Sequence, residues 1–137
     1  MKIGVYAGSF NPWHDGHRDV LAKALKVFDK VIIAVGTNPE KTTSAAGPAA
    51  SLSIEYANNP QVDVQIFNGL LVHFVKQVNA TALIRGLRNG TTDFEYEKVQ
   101  QYFNEDLGIT VPTVCFISDR KLVHISSSAI RAMEKLK

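Results

Sequence analysis

The sequence predicts an α/β fold, a three-layer sandwich in which helices cover both faces of a parallel five-stranded sheet. Short apolar runs alternate along the chain with segments whose apolar residues recur every three or four positions, which is typical of strands alternating with amphipathic helices. Residues 30–36 read Lys-Val-Ile-Ile-Ala-Val-Gly, a continuous apolar run expected of a strand buried on both faces. We expect one domain over residues 1–137, a length that can bury a sizeable core.

The composition argues against several classes of protein. A formal net charge of +2 is too small to favour nucleic acid as a partner. The chain has one cysteine, which excludes an intramolecular disulfide and fits a reducing compartment. No apolar run reaches membrane-spanning length, and the N-terminal residues lack the layout of a signal peptide. We therefore expect a cytoplasmic protein without a membrane partner.

The first third of the chain predicts a strand, a helix and a second strand. Residues 2–7 form an apolar run, and helical spacing of apolar residues then extends from His17 to Phe28. The strand over 30–36 follows directly. This βαβ unit should have a right-handed crossover.

The segment after residue 41 has a weaker pattern. Residues 42–51 are small or polar and show no period, so we expect a mobile loop, either a lid or a disordered segment. Residues 52–58 predict a short helix that ends before Asn59-Pro60. Residues 62–66 alternate between apolar and polar, which predicts a third strand at an edge or half buried.

The remaining elements continue the alternation. We expect a helix that opens at Gly69, a strand over 80–84, a helix over 93–107, a strand over 112–117 and a last helix that begins in the serine-rich residues 125–128. The helix over 93–107 carries an apolar surface wide enough to face another subunit as well as the core.

Residues 8–17 connect the first strand to the first helix, and they read Gly-Ser-Phe-Asn-Pro-Trp-His-Asp-Gly-His. Free backbone N–H groups and the helix dipole favour an anion at such a junction, so we predict a phosphate site there. Ser9 adds a hydroxyl, and His14 and His17 are spaced so that both can face one ligand. The loop matches neither the dinucleotide fingerprint nor the Walker loop.

Two other interpretations of the histidines are open. They can be a solvated helix start, or they can be zinc ligands. Zinc is disfavoured because two histidines supply only two ligands, and Cys115 lies in an apolar, strand-like run. We therefore expect no metal ion ligated by the protein.

Cationic residues follow other predicted strands at the same edge of the sheet. Lys41 follows the strand over 30–36, and Arg85 and Arg88 follow the strand over 80–84. Because parallel sheets bind ligands at the carboxyl ends of their strands, we expect these cations to reach the phosphate site. The alternatives are a solvated lysine, and salt bridges from the arginines to Asp93 or Glu95.

With these pieces placed, the chain resembles nucleotidyltransferases that carry a His-x-Gly-His signature on a Rossmann-like sheet, and among them the phosphopantetheine adenylyltransferases. Three blocks carry the resemblance. They are Gly8-Ser9-Phe10-Asn11-Pro12 with His17, then Ile84-Arg85-Gly86-Leu87-Arg88 with Asp93-Phe94-Glu95-Tyr96-Glu97, and finally Ile125-Ser126-Ser127-Ser128.

The resemblance implies a reaction of coenzyme A biosynthesis. The phosphate of 4′-phosphopantetheine would attack the α-phosphorus of ATP in line, giving dephospho-coenzyme A and pyrophosphate without a covalent enzyme intermediate. It also implies Mg²⁺ held mainly through the ATP phosphates, and a homo-oligomer, in this family a hexamer. One departure is the run over 42–51, where relatives carry a Phe-Thr-x-Glu-Glu-Arg helix.

The resemblance also implies roles for single residues. His17, Lys41 and Arg88 would be catalytic. Acceptor binding would involve Ser9, Lys41, Leu71 and Arg85. ATP binding would involve Ser9, Phe10, His14, His17, Gly86, Leu87, Arg88, Glu97, Leu122, Val123, His124, Ile125, Ser126, Ser127 and Ser128.

Two alternatives remain at this point. Residues 127–131 read Ser-Ser-Ala-Ile-Arg, which also resembles the serine motif and phosphate-binding arginine of the nicotinamide-mononucleotide adenylyltransferases. The other alternative is a shortened, non-catalytic module that binds a nucleotide.

Overall fold

The computed structural model describes residues 1–37, 44–88, 90–119 and 127–136, with the side chains of 90–92 and 127–129 left aside. Five strands are present there: β1 (Ile3–Gly8), β2 (Lys30–Gly36), β3 (Val62–Phe67), β4 (Ala82–Leu87) and β5 (Thr113–Ile117). They alternate with five helices: α1 (Asp15–Ala24), α2 (Ala46–Glu55), α3 (Leu71–Gln77), α4 (Gly90–Asp106) and α5 (Ser127–Glu134).

The strands form one parallel sheet in the order β3-β2-β1-β4-β5. The chain leaves β1 toward one edge through β2 and β3, and returns to the other side of β1 at β4. This reversal makes the gap between the carboxyl ends of β1 and β4 a topological switch point, where open α/β sheets bind ligands. The predicted fold class, a three-layer sandwich on a parallel five-stranded sheet, is confirmed.

Successive residues of the central strands point to opposite faces of the sheet, as the strand period requires. Tyr6, Ile33 and Ile84 belong to a core cluster that α1 and α2 complete with Leu21 and Leu52. The neighbours of those strand residues form a second cluster on the other face, where α3 packs; it contains Val5, Ile32, Leu83, Val72 and Val75. Both faces are therefore buried, which explains why β2 shows no polar alternation.

Helix α2 corrects one prediction. Residues 46–51, which we expected in a mobile loop, form its first half, and the helix predicted over 52–58 ends at Glu55. Ala49 and Leu52 are buried in the α1 side of the core. The helix forms here because the segment is rich in alanine, which has a high helix propensity, and because these two residues are buried. Neither feature gives an apolar stripe in the sequence. Residues 42 and 43 lie outside the described residues.

No helix in the described part of the chain is long and apolar enough to cross a membrane.

Helix α2 supplies a test with its own control. Leu52 is 2% exposed whereas Ile54, two residues away, is 79% exposed. We expect Leu52→Ala to lower the free energy of unfolding by about 2–5 kcal/mol, because it leaves a cavity in the core. Ile54→Ala should change it by less than about 0.5 kcal/mol. Urea titrations followed by circular dichroism measure the free energy of unfolding of both variants. Equal losses would contradict the observation that Leu52 faces the core and Ile54 faces solvent.

Candidate active site

A cavity of about 390 Å³ opens at the carboxyl ends of β1 and β4, at the switch point of the sheet. The N-terminus of α1 forms one wall and the start of α4 forms the opposite wall. Its lining includes most of the described residues predicted for nucleotide and phosphate binding: Ser9, Phe10, His14, His17, Arg85, Gly86, Arg88 and Glu97.

The loop before α1 has a backbone shaped by one close contact. Phe10 is buried and adopts a positive φ of 49°. A Cβ atom at Gly8 would lie 3.1 Å from the Phe10 ring, so a side chain at Gly8 would crowd it. Glycine at this position lets the Phe10 ring pack against the backbone of the loop, beside the cavity.

His14 caps helix α1 through its side chain. Its Nδ1 accepts a hydrogen bond from the backbone N–H of Gly16 at 3.1 Å, and its own backbone N–H donates to Nδ1 of His17 at 3.2 Å. Together these bonds form a capping box in which both partners are imidazoles. The structure brings the two imidazole rings together, with centroids 3.7 Å apart, and both residues line the cavity.

The capping bond determines which nitrogen of the His17 ring carries the proton. Because Nδ1 accepts from the backbone, the neutral imidazole must carry its proton on Nε2. Burial, followed by the nearby His14 and Arg85, lowers the pKa of His17 to about 3. The ring is consequently a neutral Nε2–H donor at physiological pH in the ligand-free protein. Burial and Arg88 lower the pKa of His14 as well.

Arg85 lies inside β4, because the strand extends to Leu87 and does not end at Ile84 as predicted. Its Nε donates to both carboxylate oxygens of Glu97, at 3.0 and 3.1 Å, and one terminal nitrogen donates to the Ala7 carbonyl at 3.1 Å. Glu97 is only 9% exposed. The guanidinium is thus held rigidly between β1 and α4, with its plane at the cavity wall.

Arg88 lies just beyond β4, where Asp93 closes the turn into α4. A carboxylate oxygen of Asp93 accepts from the Arg88 backbone N–H at 2.8 Å and lies 3.9 Å from its Nε. The alternative of salt bridges from the arginines is therefore present in the structure. The carboxylate of Glu97, and not that of Glu95, pairs with Arg85.

The other predicted site residues are placed in different ways. Leu71 lines a second, smaller cavity of about 140 Å³ that shares Arg85 and Glu97 with the first. Leu87 pairs with Ile117 on β5, and its carbonyl accepts from the Ser118 N–H. Ser127 and Ser128 begin α5, without described side chains. Lys41, Leu122, Val123, His124, Ile125 and Ser126 lie outside the described residues.

Sequence reasoning missed an aromatic and ionic group beside His17. Trp13 lies against the His17 ring with centroids 5.1 Å apart and planes at 18°. Its indole N–H donates to Glu55 of α2, which also accepts from Arg18. Trp13 was visible in the loop as an unassigned aromatic residue, but no local pattern links it to a glutamate 42 residues later.

The described residues contain no group of three His, Cys, Asp or Glu side chains that could hold a metal ion. The two carboxylates that line the cavity with Arg85 and Arg88 are Asp93 and Glu97, and both face those arginines. The donors around the cavity therefore suit an anionic ligand.

Comparisons with known proteins agree with this geometry. Residues 5–133 match the family model described as cytidylyltransferase-like. A phosphopantetheine adenylyltransferase from Porphyromonas gingivalis is 43% identical over 134 residues, which cover 96% of this chain and 86% of that protein. The chain belongs to the phosphopantetheine adenylyltransferase family. Another phosphopantetheine adenylyltransferase, from Cytophaga hutchinsonii, is 42% identical over 98% of this chain and 90% of its own length.

More distant solved structures share the fold of this family. A lipopolysaccharide core biosynthesis protein from Thermoplasma volcanium superposes with a TM-score of 0.60 at 22% identity, covering 87% of this chain and 98% of that one. A pantoate-beta-alanine ligase from Francisella tularensis superposes with a TM-score of 0.57 at 15% identity, covering 98% and 69%. At these identities the likeness concerns the fold alone.

The lowered pKa of His17 predicts a pH dependence of stability. In the unfolded chain its imidazole binds a proton below about pH 6.5, whereas in the folded chain it does so only near pH 3. The free energy of unfolding should therefore fall as pH decreases from 6.5, by at most about 1.4 kcal/mol per pH unit from this group. His17→Gln should show a shallower fall in urea titrations at pH 7.5 and 5. Titration of the His17 ring near pH 6.5 by NMR would contradict this.

Proposed function

We propose that this chain transfers the adenylyl group of ATP to 4′-phosphopantetheine, giving dephospho-coenzyme A and pyrophosphate. The observation that carries the proposal is the single cavity in which the capped N-terminus of α1, the Nε2–H of His17 and two guanidinium groups converge. Membership of the phosphopantetheine adenylyltransferase family supports the choice of acceptor.

The proposed reaction is a direct displacement at phosphorus. An oxygen of the acceptor phosphate forms a bond to the α-phosphorus of ATP, and the bond from that phosphorus to the bridging oxygen of the β-phosphate breaks. The electron pair leaves with pyrophosphate. No enzyme nucleophile is needed, so positioning and stabilisation of negative charge account for catalysis.

His17 is the proposed transition-state donor. Its Nε2–H would bond the α-phosphate oxygens as negative charge on them grows, and Lys41 would bridge the acceptor phosphate and the α-phosphate. Arg88 would bind the departing phosphates of ATP from the opposite wall of the cavity. His14, which caps α1, would hold the loop and contact the nucleotide.

The acceptor side of the proposal uses the second cavity. Arg85 would bind the acceptor phosphate with the guanidinium N–H groups that its bonds to Glu97 and to the Ala7 carbonyl do not use. The second cavity extends from Arg85 toward Leu71, and its mixed apolar and amide lining suits a pantetheine arm. Ser9 would help to place the attacking phosphate at the boundary between the two cavities.

The remaining ATP contacts are proposed from the resemblance. Phe10, Gly86, Leu87 and Glu97 would belong to the nucleotide side, with the segment 122–128 closing over adenine and the terminal phosphates. Mg²⁺ would be bound mainly through phosphate oxygens and water, and would offset the charge of the triphosphate. The cavity fits that arrangement, because its described carboxylates Asp93 and Glu97 are directed at arginines.

The experiment that tests the function is an acceptor screen coupled to detection of pyrophosphate. We expect release of pyrophosphate from ATP and Mg²⁺ when 4′-phosphopantetheine is present, and none with nicotinamide mononucleotide. Turnover with nicotinamide mononucleotide alone would replace the proposal with that alternative. The arginine that suggested it, Arg131, donates a hydrogen bond to the Asn11 carbonyl of the loop.

The matched variant for the screen is His17→Ala. It should lower kcat by about a hundredfold or more, since it removes a donor to the developing charge. ATP binding, measured by calorimetry, should weaken far less. A wild-type protein that binds ATP but forms no product with any acceptor would indicate the non-catalytic module.

We also propose that the chain assembles into a homo-oligomer through α4, and that the assembly is the hexamer implied by the resemblance. On the side of α4 away from the buried Glu97 the apolar side chains Val99, Tyr102 and Phe103 are exposed, and Phe94 and, just beyond the helix, Leu107 are exposed as well. Apolar patches of this extent are typical of subunit interfaces. A second copy of the same chain would cover this face.

The oligomer proposal predicts the effect of one charge on that face. Phe103→Glu should lower the molar mass measured by light scattering, because it buries a carboxylate in the proposed interface. Ile54→Glu, on an isolated exposed residue of α2, should leave the mass unchanged. A wild-type protein that is monomeric at micromolar concentration would refute the interface.

A further inference from the structure

A group of side chains on the α2 side of the cavity is not explained by substrate contacts. Glu55, the last residue of α2, receives three hydrogen bonds through its carboxylate. Oε2 accepts from the Trp13 indole at 3.3 Å and from Nε of Arg18 at 3.0 Å, and Oε1 accepts from a terminal nitrogen of Arg18 at 2.9 Å. None of these three residues lines the main cavity.

Trp13 connects this group to the proposed transition-state donor. The indole is nearly parallel to the His17 ring, at 18° and 5.1 Å, and the His14 ring lies at 24° and 3.7 Å from the same imidazole. Phe10 and Tyr6 contact the imidazole edge-on. Rings on these sides restrict rotation of the imidazole, so the direction of its Nε2–H depends on where the indole is held.

The indole in turn depends on α2. Trp13 is only partly buried and packs against the core cluster on the side of α1 and α2. There it meets the edge of Tyr56, at 6.0 Å and 86°, and it donates its hydrogen bond to Glu55. The hydrogen bond from Arg18 lowers the pKa of Glu55, which keeps the carboxylate an ionised acceptor for the indole N–H. A charged acceptor makes this bond stronger than a neutral one.

We propose that Glu55 is a positioning residue for adenylyl transfer: through its hydrogen bond to Trp13 it holds the indole against His17 and so aims the imidazole N–H at the reacting phosphate. The inference rests on the proposed function for its catalytic meaning. It concerns orientation of a donor, so it predicts an effect on kcat more than on substrate binding.

The first test compares two substitutions of the same residue. Glu55→Ala removes the acceptor, and we expect kcat to fall by about tenfold with the KM values for ATP and phosphopantetheine nearly unchanged. Glu55→Gln retains an oxygen that can accept from the indole, and should recover most of that loss. Asp63→Asn is the matched control: Asp63 lies on β3 and forms a comparably exposed ion pair with Lys30 of β2, so this change should leave kcat unaltered. Equal losses in the two Glu55 variants would overturn the proposal.

A double-mutant cycle tests the route through Trp13. Trp13→Phe keeps an aromatic ring against His17 but has no N–H to donate. In that background, Glu55→Ala should cost less than about twofold in kcat, because the interaction is already absent. If the full tenfold loss appears again, Glu55 acts by another route, for example through Arg18, and the proposal is wrong.

Fluorescence separates this proposal from the proposed function. Trp13 is the sole tryptophan of the chain, so its emission reports the indole directly. We expect Glu55→Ala to increase quenching by acrylamide and to lower anisotropy, while Glu55→Gln stays close to wild type. Unchanged quenching in Glu55→Ala would overturn the positioning role. If the wild-type protein showed no turnover, the proposed function would be refuted, but the fluorescence measurement would still show whether Glu55 holds the indole.

Discussion

The hydrogen bond from the His14 backbone N–H to Nδ1 of His17 is the interaction on which the rest of the site depends. It satisfies a free donor at the start of α1, and by the same bond it puts the proton of the neutral imidazole on Nε2. The cap places this ring at the switch point between β1 and β4. One hydrogen bond therefore both caps the helix and sets the tautomer of the proposed donor.

The charges around the cavity are arranged for preorganisation. Arg85 and Arg88 each face a carboxylate from α4, Glu97 and Asp93, in the absence of ligand. The Arg88–Asp93 pair is partly exposed and adds little stability, whereas Glu97 is buried against Arg85. In the proposed reaction both pairs would restrict the long arginine side chains before substrate arrives, so that less side-chain entropy would be lost when a phosphate binds.

The elements that could be predicted from the sequence are those that the local spacing of apolar residues specifies. The features that could not be predicted depend on tertiary contacts. The strands and the loop over 8–17 follow from apolar runs and a helix start. The first part of helix α2, residues 46–51, was missed because its buried residues form no apolar stripe. The pairing of Arg85 with Glu97 could not be predicted, because it depends on which residues of α4 face the sheet. A helix starting at Gly90 puts Asp93 and Glu97 four residues apart on one face and Glu95 on another.

The neutral state of His17 also bears on how the site would respond to substrate. In the ligand-free protein, burial and the positive field of Arg85 and Arg88 disfavour a second proton on the ring. A bound triphosphate would oppose the positive field of the two arginines and so would raise the affinity of the imidazole for a proton. A second proton could bind only at Nδ1, which accepts the capping hydrogen bond from His14, so an intact cap keeps the ring a neutral Nε2–H donor. Burial is the largest cause of the lowered pKa of His17, followed by His14 and only then by the arginines, so in the proposed reaction the ring would act as a neutral donor and not as an imidazolium.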